Sequence, residues 1–156
     1  MVVLTAALLG WVGFKLLPDD QSAVRKLMLR LVQAASVKPN ESNLARLTYA
    51  DRLADFFTTN ATLQLEGLHG DFPAINSRSD LLAAAMAARS QLRQADFALA
   101  DLNVTFPDKR SANAYVVITG TINFQTNQFG QAFRIALKKA QGHWLINEMH
   151  TVEQVR

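Results

Sequence analysis

From Asp96 to Val152 the hydrophobic pattern of this chain has a period of two, and that feature limits its fold most. In "DFALADLNVTF" the apolar residues Ala98, Ala100, Leu102, Val104 and Phe106 alternate with others. In "AYVVITGTINFQ", Val116, Ile118, Ile122 and Phe124 share a face, opposed by Thr119, Thr121 and Asn123. In "FGQAFRIALKK" the face is Phe129, Phe133, Ile135 and Leu137, and "HWLINEMHTV" closes the series. Alternation is the mark of a half-buried strand, because successive side chains leave a pleat on opposite sides. Pro107-Asp108-Lys109, Thr126-Asn127 and Gln141-Gly142 supply turns. Links this short join antiparallel neighbours, since a parallel return needs a crossover of a dozen or more residues. Four strands in an antiparallel meander follow.

The residues before Asp96 have helical spacing instead. Val24, Leu27, Met28, Leu31, Val32 and Ala35 fall on one face of a helix over Gln21–Val37, with Asp19, Asp20 and Ser22 at its start. Lys38-Pro39-Asn40 ends it. Ser42 caps a second helix whose apolar side is Leu44, Leu47, Ala54 and Phe57, closed by Thr58-Thr59-Asn60. "ATLQLEG" reads as a short strand, and a loop runs from Gly67 to Asn76. Ser77 and Asp80 open a third helix through "LLAAAMAARSQL". Runs of helices followed by runs of strands indicate an α+β domain. At 156 residues and 49% apolar composition, the chain has material for one core.

The opening "MVVLTAALLGWVGFKLLPDD" has no charge from Val2 to Phe14. Val2–Leu17 spans roughly 24 Å as a helix, against about 30 Å for a bilayer core. Lys15 can snorkel and Trp11 suits an interface. A cleavable signal needs a small-x-small site, which Leu16-Leu17-Pro18-Asp19 does not offer. The segment has no polar face for packing on a soluble core. The expected division is therefore an apolar membrane-anchor or signal segment at 1–18 and a folded domain at 19–156. The expected placement is membrane-anchored through residues 1–17, with the body outside the cytoplasm.

With no cysteine, thiolate metal sites, disulfides and a cysteine nucleophile are excluded. A formal charge of +3 with basic residues scattered singly or in pairs argues against nucleic-acid binding.

Three stretches in order resemble the NTF2-like superfamily: "LADFFTTNATLQLEG" at the helix-to-strand junction, "INSRSDLLAAAM" at the third helix, and "LKKAQGHWLINEMH" at the closing strand pair. The resemblance covers Asp20 to Val152. It implies a strongly curved antiparallel sheet forming a cone around about three helices, here preceded by the N-terminal apolar helix. It also implies homodimers through the sheet. The superfamily includes ketosteroid isomerases, SnoaL-like cyclases, dehydratases and non-catalytic binding domains. Isomerase-like members use an Asp base with a Tyr and a protonated Asp as oxyanion donors. Those positions fall near Leu65, Met28 or Leu29, and Ile135, all apolar here.

Other polar candidates are His69 and Asp71 in the loop, and His150, which plain alternation places on the side of Trp144 and Ile146. A His-x-Asp pair can do general-base work, though a loop pair is more often solvated. His69, His143 and His150 have no metal-ligand spacing, so no metal or cofactor is expected. Met28, Leu65, Met86, Phe133 and Ile135 are the candidate lining of an apolar ligand cavity, or simply a filled core. The expected function is a membrane-anchored, non-catalytic binding or assembly module, taking a small hydrophobic ligand or a protein partner. The alternative is a SnoaL-like isomerase, cyclase or dehydratase acting on a small hydrophobic carbonyl compound.

Overall fold

Each of the three helices among the described residues starts on a side-chain cap. In the computed structural model, which describes residues 19–66, 73–123 and 128–153, α1 is Asp20–Ala35, α2 Asn43–Ala54 and α3 Arg78–Gln91. Asp19 accepts from the Gln21 amide, Ser42 from Ala45 and Ser77 from Asp80, each satisfying a donor that the first turn leaves free. The strands are β1 Phe57–Gln64, β2 Ala95–Asp108, β3 Ser111–Ile122, β4 Phe129–Ala140 and β5 His143–Val152. Their order in the sheet is β1-β5-β4-β3-β2. The meander from β2 to β5 is antiparallel, as its short turns require, while β1 joins the β5 edge in parallel.

The second helix stops earlier than its apolar spacing suggests. Phe57, Thr58, Thr59 and Asn60 belong to β1, not to α2. Phe57 pairs with Ile146 and is buried, and Thr58 Oγ1 donates to Asn147 Oδ1 at 3.1 Å. Aromatic and β-branched residues fit a pleated surface better than a helix, and the sheet decides. Beyond β1, Leu63 and Ile75 exchange both backbone hydrogen bonds, at 2.9 and 3.0 Å, so the edge is covered there.

Two bulges reverse the alternation. Leu99 pairs with Ile118 and Asp101 with the adjacent Val117, which leaves Ala100 as an extra residue in β2. Phe97 and Leu99 therefore turn toward the helices before the bulge, and Leu102 and Val104 after it, whereas Ala98 and Ala100 are exposed. In β5, Leu137 of β4 pairs with Ile146 and Ala136 with Glu148, so Asn147 is the extra residue. Trp144, Ile146 and Met149 are buried, and His150 turns to the other face. Such insertions also bend a strand and increase its twist.

The concave face meets the helices. Val24, Met28 and Leu31 of α1 pack with Ala114, Val116, Phe133, Ile135, Leu137, Trp144 and Ile146 in one continuous core. Gly120 of β3 sits where a Cβ would come within 2.6 Å of Phe97 Cδ1 and 2.8 Å of the Asp96 carbonyl oxygen, so only glycine fits. Asp20 at the head of α1 ties the helix to the closing hairpin: Lys139 Nζ donates to its Oδ1 at 2.8 Å and Trp144 Nε1 at 3.0 Å.

The membrane-anchored, extracytoplasmic placement is corrected by this structure. Among the described residues no helix is long and apolar enough to cross a membrane. The segment at 1–18, with its apolar helix and anchor, lies outside the described residues.

Trp144 is 5% exposed within the core. Trp144→Ala is expected to cost about 3–5 kcal/mol, measured by chemical denaturation. The hydrogen bond from Lys139, and then that from Trp144, hold the Asp20 carboxyl below its ordinary pKa of 3.8. A depressed carboxylate contributes stability above its unfolded value and loses it as pH falls through the folded value. Asp20→Asn should therefore flatten the acid limb of stability against pH, read by urea denaturation between about pH 5 and pH 2.

Candidate functional site

The helix-free face of the sheet carries a polar row that crosses all five strands. Asn103 of β2 pairs with Tyr115 of β3, Tyr115 with Arg134 of β4, Arg134 with His150 of β5, and His150 with Gln64 of β1. The next row is Thr105, Asn113, Ala136, Glu148 and Thr62. The two bulges help to make this row, because Asn103 and His150 reach the open face only after an extra residue has shifted their strands. The members of these rows on β2 to β5 line a shallow groove of about 430 Å³.

His150 is the most engaged member. Its Nδ1 lies 3.1 Å from Gln64 Oε1 and its Nε2 3.5 Å from Glu148 Oε2. Arg134, beside it, has no ion pair or hydrogen bond among the described residues, and Tyr115 is 41% exposed. A basic and an acidic side chain thus stand on one open surface with the hydrogen-bonding Asn103, Tyr115, His150 and Gln64.

The other candidates separate. His69 and Asp71 lie outside the described residues. His150 does not share the side of Trp144 and Ile146, because the Asn147 bulge reverses the strand. His143 is exposed at the start of β5. The apolar set divides between core and rim: Met28, Phe133 and Ile135 are 0%, 7% and 2% exposed, Leu65 packs against them, and Met86 is half-buried on α3. Of the positions that the resemblance assigns to an isomerase's acid and base, Met28 and Ile135 lie in the core, Leu65 is half-buried against it, and Leu29, the alternative to Met28, is exposed.

Arg89 has no counterpart among the residues the sequence singles out. It lies on the Leu81-Ala85-Arg89 stripe of α3 that faces inward. Its side chain and that of Glu41 are each 4% exposed. Its Nε donates to Glu41 Oε2 at 3.2 Å and Nη2 to Oε1 at 2.5 Å, with further bonds to the carbonyls of Ala34 and Ser36 at 2.9 Å each. The Tyr49 ring lies 4.6 Å from the guanidinium carbon. A cation on a helical stripe otherwise read as apolar is the sequence signal for this site.

Solved structures with this arrangement settle the fold. An NTF2-like protein with a cystatin-like fold from Novosphingobium aromaticivorans superposes with TM-score 0.67 at 15% identity, covering 97% of this chain and 88% of its own. The chain has the NTF2-like fold. A cystatin-like-fold domain of unknown function from Nostoc punctiforme gives TM-score 0.68 at 16% identity, over 88% of this chain and 78% of that one. A hexachlorocyclohexane dehydrochlorinase gives 0.64 at 12% identity, over 87% and 86%. No protein-family model and no curated protein matches the sequence. At these identities the NTF2-like likeness concerns architecture, and the fold hosts many functions.

Removing one partner of a buried ion pair leaves an uncompensated charge. Arg89→Met is expected to destabilise the chain by about 3–5 kcal/mol, and adding Glu41→Leu should recover much of that loss. Denaturant unfolding of the single and double variants measures both.

Proposed function

We propose that this chain is a non-catalytic NTF2-like binding and assembly module, and that the helix-free sheet face is its working surface, occupied by a second copy of the chain. The observation that carries the reading is the transverse polar row, Asn103, Tyr115, Arg134, His150 and Gln64. Arg134 stands on this row without an ionic partner among the described residues, and Glu148 stands one row away on the neighbouring strand. A two-fold pairing of identical faces brings the same patch against itself, so each contact occurs twice. Arg134 of each copy then meets Glu148 of the other. Core packing at Met28, Leu65 and Ile135 supports a module that binds instead of transferring protons. The SnoaL-like enzyme reading would rest on His69 and Asp71, outside the described residues, and on His150, which the bulge turns away from the concave core.

Sedimentation equilibrium of the full chain tests the pairing. A dimer is expected. Arg134→Glu should weaken it by roughly tenfold or more, the scale of like-charge clashes at an interface. Reversing both charges with Arg134→Glu and Glu148→Arg should restore it. A monomer throughout the concentration range, or a dimer indifferent to both variants, overturns the reading.

A further inference from the structure

We infer that a second, independent site lies at the far end of the helical layer: an apolar pocket that takes a small neutral aromatic or branched aliphatic molecule. The pocket has a volume of about 200 Å³ and is walled by Ala35 of α1, Leu53 of α2, Ala85 and Ala88 of α3, Val37, and Phe97 of β2. None of Met28, Leu65, Met86, Phe133 or Ile135 lines it. It does not depend on the sheet face.

Two features make it a site instead of a packing defect. The first is that its walls are held apart by hydrogen bonds. Arg89 fastens α3 to the Ala34 and Ser36 carbonyls and to Glu41. Ser36 Oγ accepts from the Phe97 amide at 3.1 Å and donates to the Val32 carbonyl at 3.0 Å. Val37 and Ala95 exchange backbone bonds at 2.7 and 2.9 Å. This frame links α1, the segment after it, α3 and β2. An apolar gap costs stability to the extent that its surroundings cannot collapse into it. Here collapse would break a buried ion pair and a backbone bridge, so the space persists. Small side chains at Ala35, Ala85 and Ala88 create it, and Phe97 offers a ring to its occupant.

The second feature is chemical. Among the described residues Arg89 is the sole ionisable one in the wall, and its charge is already met by Glu41 at 2.5 Å. An anionic ligand would lose hydration without gaining a free cation. A neutral apolar molecule has no such cost. The pocket is half-open to solvent and its volume of about 200 Å³ has room for one small ring, which on entering covers the half-buried Ala35, Leu53 and Phe97.

The test uses fluorobenzene and the full chain, followed by ¹⁹F and amide NMR. Saturable binding is expected, with shifts centred on Val37, Ala85, Ala88 and Phe97. Ala88→Leu and, as a second filled variant, Ala35→Leu should each weaken binding at least about tenfold, as occupied volume excludes the ring. Their amide spectra report folding directly. Benzoate should bind more weakly than fluorobenzene. The inference is overturned by the absence of saturable binding, by shifts centred on Leu65 and Phe133 with both filled variants binding normally, or by benzoate binding the tighter.

Discussion

Backbone hydrogen bonds along β2, β3, β4 and β5 assign each side chain to one of two faces, and the rest of the molecule depends on that assignment. One face closes on the helices and becomes the core. The other keeps its polar residues in water. A strand can exchange its faces only by gaining a residue, and β2 and β5 do so within the meander. Ala100 in β2 and Asn147 in β5 are each opposed by no partner residue. Downstream of them the apolar set and the polar set trade sides, and Asn103 and His150 join Tyr115 and Arg134 on the open surface. The bulges therefore shape the cone and compose its outer face at once.

The helical layer is held to that sheet by a different means. Along α1 the contact is apolar, through Val24, Met28 and Leu31. At its far end α1 is tied to β2 by the Val37–Ala95 backbone bonds, and to α3 by a polar, buried contact of Arg89 with Glu41 and two helix-end carbonyls. A paired buried charge adds little net stability over a well-packed apolar equivalent, yet breaking it is costly. Its effect is therefore geometric. Carbonyls that α1 leaves unsatisfied at its C-terminus gain donors, and α3 is fixed in one position relative to them. That arrangement resists the relaxation that would fill the neighbouring apolar space.

Periodicity made most of the architecture readable from the sequence: three helices, the four-strand meander and the caps at Ser42 and Ser77 stand where spacing places them. What periodicity could not show was where it breaks. Plain alternation puts His150 beside Ile146, and it would have remained there without the extra Asn147. A bulge leaves no mark in a pattern of apolar and polar letters when the residues after it alternate equally well. The same limit applies to Phe57, which suits the apolar side of α2 until the sheet claims it. Arg89 was hidden for another reason. A single cation in "AAAMAARSQL" looks like a solvated position unless its partner Glu41, 48 residues earlier, is known to lie against it.

The NTF2-like fold is a curved sheet with a filled or fillable interior, and its use follows from which surfaces carry polar chemistry. In this chain Met28, Leu65 and Ile135 leave the middle of the cone to packing. On the proposed reading the interior stabilises the sheet, and recognition falls to surfaces that the core does not consume. Under the proposed pairing the outer face, where Arg134 has no ion pair among the described residues, gains from an oppositely charged neighbour. The pocket beside Arg89 has compensated charge and apolar walls, and so it gains from a ligand with no charge at all. These are opposite demands. They place the two surfaces on different faces of the same frame, where occupation of one need not disturb the other.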